Sequence, residues 1–130
     1  MDIAKRVAAR YQEISIGALE RGVRTLAKKL EKMGLKTEIE VFKTGRGGTQ
    51  HYGASYVELQ VTGKYRTEDG EEDEAWTWVK FLAGGYYTGG KSRQQISGTE
   101  GWKPMAAQGL EFLLEDLRRQ GWTPPQVPSR

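Results

Sequence analysis

The stretch from Tyr56 to Phe81 constrains the fold most. Tyr56–Arg66 alternates apolar and polar residues, with Val57, Leu59 and Val61 on one side, and Ala75–Phe81 repeats the pattern with Thr77, Val79 and Phe81. A period of two is the signature of a strand with one buried face. Between them lies an acidic run, Glu68–Glu74, centred on Asp69-Gly70, a strong hairpin signal that makes the two strands antiparallel neighbours. Leu35–Phe42 alternates likewise, with Leu35, Ile39 and Val41 inward. Strands with a single apolar face belong to a sheet covered by helices on one side only.

Helical periodicity supplies the cover. From Ile3 to Met33 apolar residues recur every three to four positions in two phases: Ile3, Val7, Tyr11, Ile14 and Ala18, then Ile16, Leu19, Val23, Leu26, Leu30 and Met33. Ile14-Ser15-Ile16-Gly17, with two β-branched residues and a glycine, separates the phases, so the region is either two helices or one bent helix ending at Gly34. A last helix is expected from Pro104, through Ala106, Leu110, Leu113, Leu114 and Leu117, to Gly121. The glycine-rich segment 84–102 between sheet and helix is read as an ordered loop holding a short fourth strand or a helical turn.

The expected fold is therefore α+β: an antiparallel sheet of three to four strands, packed on one face by the N-terminal helical region and the C-terminal helix. Residues 1–121 form one domain in this reading, and 122–130 a flexible proline-rich tail.

Composition excludes several function classes. The 130 residues include no cysteine, which removes disulfides, thiolate metal sites and cysteine nucleophiles, and fits a cytoplasmic protein. The start of the chain is too charged for a secretory signal or a membrane span. One histidine, His51, and no G-x-S-x-G elbow leave little for a serine triad. Neither a zinc nor a calcium ligand spacing occurs, so no metal or other cofactor is expected. No catalysis is expected.

Gly85–Ser92, GYYTGGKS, matches the phosphate-binding pattern G-x-x-x-x-G-K-[ST], which makes Gly85, Gly90, Lys91 and Ser92 phosphate candidates. Such a loop works only between a strand and a helix whose N-terminus faces the phosphates, and the sequence after Ser92 breaks within one turn at Ser97-Gly98. A flexible glycine loop is the favoured reading.

Nucleic-acid binding has more support. Residues 1–36 carry nine Lys and Arg against four Asp and Glu, in a chain whose net charge is only +3. Arg21, Arg24, Lys28 and Lys32 fall on one side of the helix opposite its apolar stripe, where they can contact phosphates. The outward sheet face offers Tyr56, Trp76 and Trp78 for base stacking beside Lys64 and Lys80, but also Glu38, Glu40 and Glu58, which repel phosphate. The order helix, three strands, helix is similar to that of double-stranded RNA-binding domains. As in that topology, His51 lies between the first two strands and Gly90-Lys91-Ser92-Arg93 precedes the last helix, here about ten residues away.

A protein partner or a second copy of the chain ranks first. With the last helix packed through Leu110, Leu113, Leu114 and Leu117, Met105 and Phe112 point outward, and with Trp76 and Trp78 they form an exposed apolar patch of the kind that marks interfaces. The alternative is that 84–102 folds over the sheet and buries the tryptophans. Pro125–Arg130 matches P-x-x-P-x-R, which SH3-type grooves read, although prolines in a terminal segment produce such matches by composition alone.

Overall fold

A computed structural model describes residues 15–43, 55–82, 86–89, 95–98 and 101–124. The elements are α1 (Ile16–Lys32), β1 (Lys36–Phe42), β2 (Tyr56–Arg66), β3 (Glu72–Leu82), β4 (Tyr86–Gly89), β5 (Gln95–Gly98) and α2 (Trp102–Gln120). The chain is α+β, and its strands form one sheet in sequence order, every neighbouring pair antiparallel. The sequence reading stopped at three to four strands. Beyond the three long strands, two runs of four residues form β4 and β5 within the glycine-rich segment, where one short strand or a helical turn is the expectation; each is too short for a periodic signal.

α1 begins where the two helical phases meet. Ser15 is its N-cap, and its hydroxyl accepts a hydrogen bond from the Ala18 N–H at 3.2 Å, satisfying one of the orphan donors of the first turn. The earlier phase, Ile3–Ile14, lies outside the described residues. Leu19, Val23, Leu26, Ala27 and Leu30 are buried along one face, as their spacing dictates.

Both helices end in the same way. Gly34 (φ 87°) follows α1 and Gly121 (φ 121°) follows α2, each in the left-handed region where a side chain is strained. The next residue in each case donates back to the helix, Leu35 N–H to the Leu30 carbonyl at 3.2 Å and Trp122 N–H to that of Leu117 at 3.1 Å. This Schellman geometry turns the following side chain inward. Leu35 and Trp122 converge on Gly63 of β2, where an added Cβ would lie 2.6 Å from the indole and 2.7 Å from the leucine. Trp122, at 3% exposure, thus belongs to the core and not to a tail starting at 122; tail residues 125–130 lie outside the described residues.

The core gathers the α1 stripe, Val57, Leu59 and Val61 of β2, Ala75, Val79 and Phe81 of β3, and Met105, Leu113 and Leu117 of α2. Met105 was expected on the surface but has 0% exposure. The cause is Gly109: an added Cβ there would sit 2.6 Å from the Phe81 ring, so α2 lies down on β3 at that point. Glycine carries no apolar weight in a periodicity, yet it sets which stripe, Met105-Gly109-Leu113-Leu117, faces the sheet. The same helix turns Asp116 inward, where its carboxylate accepts a 2.6 Å hydrogen bond from the Thr77 hydroxyl.

Candidate functional site

β3 places the two central tryptophans. Because Ala75, Thr77, Val79 and Phe81 enter the core, Trp76 and Trp78 lie on the opposite face, which carries no helix among the described residues, both half-buried. The register sets their neighbours: Lys36, Thr62 and Trp76 form one row across β1, β2 and β3, Glu38, Gln60 and Trp78 the next, and Glu40, Glu58 and Lys80 the third. A shallow depression of about 270 Å³ is lined by Lys36, Glu38, Gln60, Thr62, Glu74 and Trp76. Lys80 extends its ammonium over two rings, 4.9 Å from the Tyr56 centroid and 5.2 Å from that of Trp78. Such cation–π contacts hold the indole in place.

The fourth row closes this face at one end. Phe42, Tyr56, Leu82 and Tyr86 are register partners, and Phe42 stacks on Tyr56 with centroids 5.0 Å apart and planes at 15°. Tyr56 is only 7% exposed, and Leu82 is fully buried. Burial, then the charges of Glu58 and Glu40, push the Tyr56 phenol above its ordinary range, a sign that this part of the face is acidic. Tyr56, a candidate for base stacking, is therefore already stacked on Phe42 and approached by Lys80. Gln60 donates to Glu58 at 2.9 Å, fixing that carboxylate on the same face.

The apolar patch read from sequence divides between two layers. Met105 is core and Phe112 is half-buried against it, both on α2, which packs on the opposite side of the sheet from Trp76 and Trp78. The four residues do not meet. Sequence reasoning also missed Gln120: its amide accepts from the Trp76 N–H at 2.9 Å and donates to the Trp76 carbonyl at 2.8 Å, bracketing that residue's backbone. A glutamine near a helix end carries no signal of such a role.

On α1 the basic candidates do share the solvent face. Arg21, Arg24, Lys28 and Lys32 are all exposed. Arg24 is held by Glu20, its Nε and Nη2 donating to one carboxylate oxygen at 3.0 and 2.9 Å. Lys64 sits 3.6 Å from Glu72 across the β2–β3 pair, an exposed contact of little energetic weight. The α1 side chains and the sheet candidates thus occupy different layers.

The phosphate candidates Gly85, Gly90, Lys91 and Ser92 lie outside the described residues, as does His51. Between Gly85 and Gly90 the chain is the strand β4, paired with Val79–Leu82, and the next described element is β5, pairing back onto β4. A phosphate loop is followed by a helix. Among the described residues no three His, Asp or Glu side chains group to hold a metal ion, and no helix is long and apolar enough to cross a membrane.

No protein-family model, curated protein or solved structure matches this chain.

Proposed function

We propose that this chain is a non-catalytic interaction domain, cytoplasmic, that docks a protein surface on the sheet face bearing Trp76 and Trp78, with a second copy of itself as the first candidate. The observation that carries the reading is the pairing of Trp76 with Trp78 on that face, two large half-buried aromatics beside a polar depression. Tryptophans surrounded by polar groups are the composition of interface centres and their rims. The surrounding charges have both signs, Lys36, Lys64 and Lys80 against Glu38, Glu40, Glu58 and Glu74, which suits a self-complementary, two-fold contact better than a polyanion. Size exclusion with light scattering tests it: a salt-independent dimer is expected, and Trp78→Glu should return the mass to that of one chain.

Nucleic-acid binding through α1 is the second reading. It is favoured by the common solvent face of Arg21, Arg24, Lys28 and Lys32. An affinity that falls steeply with salt and vanishes in Arg24→Glu/Lys28→Glu would move it to first place. Phosphate binding by Gly85–Ser92 is third, and requires nucleotide to raise thermal stability through Lys91.

A further inference from the structure

A surface distinct from the tryptophan face follows from the hydrogen-bond parity of the sheet. Trp76 sends both its N–H and its C=O to Gln120, away from β2. Adjacent residues of an antiparallel strand point their backbone groups to opposite sides, so Ala75, Thr77 and Val79 exchange bonds with Gly63, Val61 and Leu59. On β2 the even-numbered residues Thr62, Gln60 and Glu58 then bond β1, through Lys36, Glu38 and Glu40. The N–H and C=O groups of Thr37, Ile39 and Val41 are left pointing outward. β1 pairs with β2 alone, and this edge carries no hydrogen-bond partner among the described residues.

Beside that edge runs a groove. Arg24, Ala27, Lys28 and Glu31 of α1 form one wall and Thr37 and Ile39 of β1 the other, enclosing about 290 Å³. The Thr37 hydroxyl donates to Glu31 at 2.5 Å and ties helix to strand at one end. Lys28 has no ion-pair partner among the described residues, whereas Arg24, one turn before it, is already paired with Glu20. On the other side of the strand, Glu38 and Glu40 are exposed.

We propose that the open edge of β1, with the groove beneath α1, takes up an extended acidic peptide as an added strand. An incoming strand would pair its backbone with Thr37, Ile39 and Val41 and direct alternate side chains toward α1. Those side chains meet Lys28 first, with Arg24 shared between them and Glu20, and are acidic. The intervening ones pass beside Glu38 and Glu40 and are neutral. A second copy pairing through β1 is disfavoured, because the two-fold axis would bring Arg24 and Lys28 of both α1 helices together. The chain's own acidic run, Glu68–Glu74, is already committed to the β2–β3 hairpin and cannot serve.

The probe is a fluorescein-labelled octapeptide alternating glutamate and threonine, titrated by fluorescence polarisation against the full chain. Saturable binding is expected, weakened about tenfold in Lys28→Glu, which replaces an attractive charge by a repulsive one. It should also be lost when alternate amides of the peptide are N-methylated, a control that leaves the protein untouched. Trp78→Glu should bind as the parent does. Equal binding of the N-methylated peptide, or indifference to Lys28→Glu, overturns the proposal. Binding lost in Trp78→Glu would overturn it too and move the peptide to the tryptophan face. A short RNA duplex that binds α1 where the peptide fails would show that the basic wall serves nucleic acid.

Discussion

The Thr77 hydroxyl donates to Asp116 at 2.6 Å in a contact almost sealed from water, joining the middle of β3 to the last turns of α2. A carboxylate is tolerated there because it is hydrogen-bonded. Thr77→Val removes the donor while keeping shape, and should lower stability by about 1.5–3 kcal/mol, the range for hydrogen bonds to charged groups. Combining it with Asp116→Leu should cost less than the sum of the two single changes, since the pair acts as one unit. Urea denaturation of the four proteins measures both quantities; additive losses would mean that the contact carries no coupling.

Gly109→Ala tests how α2 is seated. In an isolated helix the change stabilises by about 1 kcal/mol. Here the new methyl would meet the buried Phe81 ring, and over-packing costs about 1–3 kcal/mol. A net loss is expected, read as a lower Tm, and Gly109→Val should be worse. A gain in Tm with alanine would show that Phe81 has room to retreat.

Gln120 covers backbone that β4 does not reach, because among the described residues β4 pairs β3 over Val79–Leu82. Gln120→Ala should remove about 1–2 kcal/mol and uncover an edge that recruits other strands, so aggregation on heating should increase. Gln120→Glu keeps the acceptor for the Trp76 N–H and loses the donor to its carbonyl. Protonation restores that donor, so the deficit of this variant relative to the parent should shrink as pH falls. A pH-independent deficit would assign the effect to packing.

Two tyrosines give the fold an alkaline limit. Tyr56 is raised by burial and by Glu58 and Glu40, and Tyr65 by burial and by Asp73, to which its hydroxyl donates at 3.3 Å. A phenol raised in the folded state stabilises fully below its ordinary value of 10.0. That stability is lost as pH climbs through the folded value. Thermal melts should therefore show stability declining above about pH 10, the unperturbed tyrosine value. In Glu40→Gln/Glu58→Gln the Tyr56 phenolate should appear at lower pH by ultraviolet titration.

The alternation of 56–81 and the Asp69-Gly70 turn were sufficient, as sequence, to dictate an antiparallel pair with Val57, Leu59, Val61, Thr77, Val79 and Phe81 on one face, because a period of two has one geometric solution. The α1 stripe and the stop at Gly34 were legible for the same reason: helix spacing and left-handed termini are local properties. The orientation of α2 was not. Its seating depends on Gly109 under Phe81 and on Asp116 reaching Thr77, contacts between residues far apart in the chain that no local pattern encodes. Tertiary structure likewise decided that Trp122 is core, that Met105 and Phe112 lie a layer away from Trp76 and Trp78, and that β1 keeps, among the described residues, an open edge beside basic α1. Sequence fixes which side of an element is apolar; which neighbour lies against that side, and which backbone edge is left over, is settled only when the layers pack.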